Sequence, residues 1–196
     1  METSPPQVIL LNGTGSSGKT SIAIRLQELL PEQYLNFSID SVLYALPPTD
    51  LKKMMVGERI DRAGYEYPRL VDGYHACLPA LLSTGLKLIV DNAWTDAAEK
   101  RAMLTAISGF SSVLIGVRCD LEVAKAREAL RGDRAIGLAA REFPLVHQHM
   151  QYDIEIDTSM RTPEACADEL LARLSTVKLW TGATSTLQEL DKGLNA

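Results

Sequence analysis

Residues 13–20 of the chain read Gly13-Thr14-Gly15-Ser16-Ser17-Gly18-Lys19-Thr20. This segment matches the pattern G-x-x-x-x-G-K-[ST] at all of its fixed positions. An apolar run from Val8 to Leu11 precedes it, and Ser21–Leu30 follows with apolar residues at helical spacing. The context predicts a phosphate-binding loop between a buried strand and a helix, because glycines let backbone N–H groups approach an anion and the helix N-terminus carries partial positive charge.

The last two residues of the motif carry side-chain chemistry. In such a loop the lysine, here Lys19, reaches the β- and γ-phosphates of a nucleotide, and the hydroxyl of Thr20 contacts Mg²⁺. The motif therefore predicts ATP and Mg²⁺ as cofactors, with all of residues 13–20 binding the nucleotide. The alternative is a chance glycine turn between a strand and a helix.

Short apolar runs alternate with helix-like segments along the chain. The predicted strands are 7–12, 35–39, 87–91, 112–119 and 153–157; the predicted helices are 21–30, 67–83, 95–107, 120–130, 138–150 and one that begins at 162. This alternation predicts right-handed βαβ units, and hence a three-layer α/β fold with a parallel sheet and helices on both faces. Isoleucines alternate with acids in the last strand, which favours an edge position.

Length and regularity suggest how the chain is organised. We expect a single domain over residues 1–177 and a C-terminal extension over 178–196, which either forms a short helix near 186–192 or frays. Residues 47–66 are polar and irregular and could be an insertion on the substrate side.

Composition limits the classes of partner. Lys and Arg total 20 against 25 Asp and Glu, a net charge of −5, which gives no reason to expect nucleic acid or an anionic membrane as a partner. No signal peptide is visible at the N-terminus, and no apolar run approaches the roughly 20 residues of a membrane span. Three widely spaced cysteines fit free thiols in a reducing compartment. We expect a cytoplasmic protein.

Two aspartates follow predicted strands. Asp40 ends the second strand, at the sheet edge where open α/β folds bind ligands, and its carboxylate could take a proton from an acceptor hydroxyl. Alternatively, Asp40 caps a short helix over 41–46. Asp91 ends the third strand, where it could hold Mg²⁺ or contact substrate, or could instead form an Asp-Asn turn with Asn92.

Arginines cluster between residues 127 and 141. Arg131, Arg134 and Arg141 lie among glycines in a segment, about 131–141, that could close over the phosphates as a lid. The alternative is a solvated basic helix end. Trp94, just past the Asp91 turn, could line a substrate pocket or could be a core aromatic.

Several blocks of the sequence resemble chloramphenicol phosphotransferase and its relatives, from about residue 7 to about 175. They are Val8–Thr20; Leu35–Pro48 with Ile39-Asp40-Ser41; Arg131-Gly132-Asp133-Arg134; Gly137–Arg141; Val146-His147-Gln148; and Tyr152–Thr158. The phosphate-binding loop is common to many kinases, whereas the blocks around Asp40, Arg134 and His147 are more specific.

The resemblance implies an adenylate-kinase-like P-loop fold and transfer of the ATP γ-phosphate to a hydroxyl of a small molecule. It implies that Asp40 matches the family's catalytic base, that Lys19 and Thr20 match its loop residues, and that Arg134 falls in its lid. Residues 49–67 and Asp91-Asn92 depart from the family pattern on the acceptor side. Another acceptor, such as a nucleotide sugar as in zeta-type toxin kinases, and a nucleotide-binding switch without acceptor are the alternatives.

Overall fold

Five parallel strands form the centre of the fold. The computed structural model describes residues 5–131, 136–176 and 179–192, and within these ranges the strands are β1 (Val8–Asn12), β2 (Tyr34–Asn36), β3 (Lys87–Asn92), β4 (Ser112–Arg118) and β5 (Ile154–Asp157). Their order in the sheet is β2-β3-β1-β4-β5, with every neighbouring pair parallel. The predicted α/β class and the edge position of the last strand are confirmed.

Helices cover both faces of this sheet. In the described ranges they are α1 (Lys19–Leu29), α2 (Ile39–Leu43), α3 (Pro48–Met55), α4 (Tyr67–Ser83), α5 (Ala97–Ala106), α6 (Leu121–Arg131), α7 (Leu138–Glu142), α8 (Pro163–Thr176) and α9 (Gly182–Lys192). None of these described helices combines the length and the apolar character needed to cross a bilayer.

Alternate residues of β1 enter two separate cores. Ile9 and Leu11 pack with residues of α1 and α8, whereas Val8 and Leu10 pack with residues of α4 and α5. All four side chains are fully buried. This central strand is therefore apolar without alternation, as expected for a parallel strand covered on both faces.

The strand order determines where a ligand can bind. β1 lies between β3 and β4, and its last residues pair with the end of β3, Leu11 with Asp91 and Asn12 with Asn92. Chain connections leave β1 in one direction toward β2 and β3 and later cross to β4, so the crevice beyond the tip of β1 lies at a switch point of the sheet. The loop at residues 13–20 begins at this tip.

Three boundaries differ most from those expected. Asp40 lies inside α2 rather than at the end of β2, which ends at Asn36. The helix predicted over 138–150 ends at Glu142, because Pro144 has no N–H to continue the helical hydrogen bonds. The C-terminal helix begins at Gly182 rather than near 186, and it contacts α5 and β4.

Candidate active site

A close contact requires the first glycine of the loop, and a left-handed backbone conformation requires the last. A Cβ atom on Gly13 would lie 2.4 Å from the carbonyl oxygen of Val117 in β4, so no side chain fits there. Gly18 has φ of 93°, in the left-handed region, immediately before the first residue of α1. The loop thus reverses the chain tightly between β1 and α1, with its amides at the N-terminus of that helix.

Lys19 is the first residue of α1 and is almost completely buried. Its Nζ donates hydrogen bonds of 2.7 Å to the carbonyl oxygens of Gly13 and Thr14. The ammonium group is therefore held directly over the loop, where an anion bound by the loop amides would meet it.

Thr20 and Asp91 meet between α1 and the tip of β3. The Thr20 hydroxyl donates a 2.7 Å hydrogen bond to Oδ2 of Asp91. The other carboxylate oxygen, Oδ1, is buried and accepts no hydrogen bond from any residue in the part of the chain described. A hydroxyl and a carboxylate are the hard oxygen donors that suit Mg²⁺, and a buried oxygen without a donor is the atom that a cation or its water would satisfy. The residues therefore fit a magnesium site.

A cavity of about 190 Å³ adjoins the other side of the loop. It is lined in part by Ser16, Gly18, Arg127, Arg131 and Thr158. The Thr158 hydroxyl donates to the Ser17 carbonyl at 2.7 Å, which ties the segment after β5 to the loop. The sequence analysis did not identify this cavity, although the position of Thr158 just past a strand at the carboxyl edge of the sheet was a usable signal.

Asp40 lies in the first turn of α2, a helix that contacts α4. The N-cap of α2 is Ser38, so Asp40 does not cap this helix. Burial raises the pKa of the Tyr74 phenol strongly, and the negative charges of Asp91, Glu99 and Asp40 raise it further. The carboxylates of Asp40 and Asp91 therefore lie around the same tyrosine, one from α2 and one from β3.

Tyr67, at the start of α4, has a similar acidic surrounding. Its pKa is raised by burial and then by Glu99, Tyr65, Asp40 and Glu142. Burial and the charge of Asp96 also raise the pKa of the Glu99 carboxyl. Carboxylates from separate helices, Asp40 of α2, Glu99 of α5 and Glu142 of α7, therefore act on the tyrosine at the start of α4.

The lid residues are only partly described. Arg131 ends α6 and lines the cavity beside the loop, and Arg141 is exposed on α7, which contacts α6. Arg134 lies outside the described residues. Trp94 is fully buried among core residues of α4 and α5, which favours the core alternative for this side chain.

A buried polar network supports the segment that follows α7. The Asn12 side-chain amide donates to the Val146 carbonyl at 2.8 Å and to the Tyr152 hydroxyl at 2.7 Å, and its Oδ1 accepts the backbone N–H of Trp94. Nδ1 of His147 lies 2.6 Å from the same tyrosine hydroxyl. Burial and the cations Arg118, Lys19 and Lys100 lower the pKa of His147 to about 4, so the imidazole is neutral at physiological pH.

Glu142 is a site residue that the sequence analysis missed. Its Oε2 accepts the Gly15 N–H at 2.6 Å, from the end of α7 into the middle of the loop. No motif marks this glutamate, because the contact depends on how α7 packs rather than on a local pattern.

The fold and the loop define a class, the P-loop kinases. A sugar kinase from Janibacter sp. superposes with a TM-score of 0.64 at 15% identity, over 88% of this chain and 100% of that one. An APS kinase from Mycobacterium tuberculosis, in complex with AMPPNP and APS, superposes with a TM-score of 0.63 at 13% identity, over 88% of this chain and 99% of that one. These similarities establish the adenylate-kinase-like fold.

The family model described as "Chloramphenicol phosphotransferase-like protein" matches residues 6–175. A "Putative O-phosphotransferase" of Mycobacterium tuberculosis, found in two strains, is 31% identical over 181 residues, which is 84% of this chain and 80% of that protein. The chain belongs to the chloramphenicol phosphotransferase-like family, and family and fold together make it a phosphotransferase of the P-loop kinase class. The resemblance seen in the sequence is confirmed.

Proposed function

We propose that the protein transfers the γ-phosphate of ATP to a hydroxyl group of a small molecule in the cytoplasm. The observation that carries the proposal is the shared crevice: the phosphate-binding loop and the Thr20–Asp91 pair lie at the tips of β1 and β3, and the Asp40 carboxylate approaches from α2. Donor groups and a candidate base near one switch point of the sheet support this proposal.

On the donor side, the amides of residues 13–20 and the Lys19 ammonium bind the phosphates. Thr20 and Asp91 would hold Mg²⁺, which when bound neutralises phosphate charge. The cavity lined by Arg127, Arg131 and Thr158 adjoins the loop and has room for part of the nucleoside. The kinase unit in this proposal is residues 1–177, with residues 178–196 as an extension.

On the acceptor side, Asp40 orients the hydroxyl and accepts its proton as the oxygen bonds to the γ-phosphorus. The bond between that phosphorus and the β,γ-bridging oxygen breaks, and ADP leaves. Arg134, together with Arg131 or Arg141, covers the transferring group from the segment 131–141 and stabilises its charge. Catalysis then depends on positioning and charge neutralisation, with no covalent intermediate on the protein.

Chloramphenicol is the first acceptor to test, because the chain belongs to the family named for that reaction. The Mycobacterium tuberculosis relative is named only for O-phosphotransfer, which is consistent with other acceptor alcohols in this family. The acceptor-side segment 49–67 differs from the family pattern, so a panel of hydroxylated antibiotics, sugars and nucleotide sugars belongs in the same experiment.

The test is mass spectrometry of each acceptor after incubation with the protein and MgATP. The proposal predicts a product heavier by about 80 Da, one HPO₃, for at least one alcohol, and its loss in Asp40→Asn. Hydrolysis of ATP that needs no acceptor and proceeds equally fast in Asp40→Asn would contradict the proposal and favour a nucleotide-dependent switch.

A further inference from the structure

The Glu142 carboxylate occupies a backbone amide of the phosphate-binding loop. Oε2 accepts the N–H of Gly15, midway between Gly13 and Gly18, at 2.6 Å. In loops of this type the amides hold phosphate oxygens. One N–H makes one strong hydrogen bond, and two anions repel each other, so this carboxylate and a phosphate oxygen exclude each other at Gly15.

The loop lysine is also engaged with protein atoms. Its ammonium group donates to two carbonyl oxygens of the loop, those of Gly13 and Thr14. An acidic side chain on an amide and a lysine on two carbonyls are together the contacts that a polyphosphate must replace. The Glu142 carboxylate therefore occupies the place of a phosphate on the Gly15 amide, and the loop carbonyls occupy the place of a phosphate on the Lys19 ammonium.

The short helix α7 is anchored at both ends. Glu128 in α6 is almost completely buried and accepts the N–H groups of Gly137 and Ala139, at 2.8 and 2.9 Å. Beyond the helix, the buried Lys100 donates to the carbonyls of Leu145 and Gln148, at 3.0 and 2.9 Å. Glu142 can therefore leave Gly15 by rotation of its side chain while α7 stays in place.

We propose that Glu142 is an internal competitor of the nucleotide, which closes the loop through Gly15 and is displaced from that amide by the phosphate chain. The inference rests on the proposed function, since ATP is the displacing ligand. One consequence follows. The closed form lowers the apparent nucleotide affinity in proportion to the fraction of molecules that are open.

The decisive variant is Glu142→Asp. Aspartate keeps the negative charge, but it is shorter by one methylene and loses the contact with Gly15. We expect Glu142→Asp and Glu142→Ala to bind ADP, ATP and inorganic tripolyphosphate about three- to tenfold more tightly than the wild type in calorimetric titrations. Glu142→Gln keeps the reach but not the charge assistance, so its gain is smaller.

The control variant is Glu28→Ala, which removes one negative charge from an exposed site about 15 Å along α1 from Gly18. Its nucleotide affinity should equal that of the wild type. Thermal unfolding of each variant reports on folding, and the Gly15 amide resonance without nucleotide should shift in Glu142→Asp, because the charge-assisted bond is gone.

Each pattern of results has one meaning. If Glu142→Ala binds nucleotide more tightly and Glu142→Asp binds it like the wild type, only long-range charge acts, and the proposal that Glu142 competes at Gly15 is overturned. The same conclusion follows if neither folded variant gains affinity, and the phosphotransferase proposal then still stands. If neither the wild type nor any variant binds nucleotide, the proposed function falls first and this inference falls with it.

Discussion

The two sides of the crevice are built differently. The proposed donor side consists of the end of β1, the loop, the start of α1 and the tip of β3; Lys19 is buried and hydrogen-bonded there, and Thr20 donates to the buried Asp91. The proposed acceptor side includes α2 and the start of α4, where Tyr44 and Tyr67 are 57 and 47% exposed. In the proposal, the donor side fixes the reaction and exposed residues of the acceptor side select the alcohol.

Lys19→Ala tests the donor side most strongly. Loss of the ammonium over the loop should lower phosphotransfer by about 10³-fold or more, because charge on the γ-phosphate is no longer neutralised. Steady-state kinetics and calorimetric binding of ATP measure the effect. Lys125→Ala, an exposed pair with Glu122 on α6, is the control and should leave turnover unchanged. Wild-type turnover in a folded Lys19→Ala protein would remove the donor-site assignment.

Asp40→Asn tests the acceptor side in isolation. We expect kcat to fall by about 10²-fold with nearly unchanged ATP affinity, since the amide no longer accepts the hydroxyl proton. Asp168→Asn, on the exposed surface of α8, is the matched control. An unchanged kcat would show that the two sides do not divide the reaction as proposed.

Arg134→Ala tests the segment that would join the two sides. The expected loss is about tenfold to hundredfold in kcat, with a smaller effect on ATP affinity, because Arg131 and Arg141 can share the charge. Single-turnover kinetics separates the transfer step from binding. A variant that changes only KM would argue that this arginine binds nucleotide in the ground state and has no part in transfer.

The supporting network of His147 predicts a smaller effect, on stability. Its pKa is about 4 in the fold against about 6.5 in an unfolded chain, so between these values only the unfolded chain takes up the proton. The free energy of unfolding therefore falls as pH drops through this window. We expect a loss of about 1–2 kcal/mol from pH 7 to pH 4.5 that is absent in His147→Gln.

Denaturant titrations at a series of pH values measure this slope. The groups that lower the pKa besides burial are Arg118, Lys19 and Lys100, and the Tyr152 hydroxyl contacts Nδ1. His75 also has a lowered pKa and titrates in both proteins, so only the difference between them reports on His147. Equal slopes would mean that His147 takes up its proton at the same pH in the folded and unfolded chain.

Local sequence patterns were enough to predict the fold class and the loop. The loop and its flanking elements are local patterns, and α4 was predicted with its observed bounds, 67–83, because its apolar residues recur at helical spacing. The Thr20–Asp91 contact joins two residues that the sequence assigned to Mg²⁺ separately, one from the loop motif and one from the end of β3, and their metal role stays a prediction. The residues of the phosphate-binding loop and the alternation of elements were enough for the fold class.

Contacts between distant segments were beyond the sequence. Trp94 follows a strand end like a pocket residue, yet tertiary packing buries it, and no local signal separates the two outcomes. Glu142 and the Arg127–Thr158 contact depend on how α6, α7 and the end of β5 dock on the loop. The roles of Asp40 and of the arginines stay predictions that the variants above decide.

Asn12 has a chemical consequence for the lifetime of the enzyme. Asn12 is followed by Gly13, and an asparagine before glycine is prone to deamidation when the backbone can bend toward its side chain. In the native chain the amide is fully buried and held by Val146, Tyr152 and Trp94, so the reaction is blocked. Unfolding exposes the Asn12 amide to this reaction, and the resulting aspartate would place a carboxylate directly before the phosphate-binding loop. Folding thus protects Asn12 from an irreversible chemical modification.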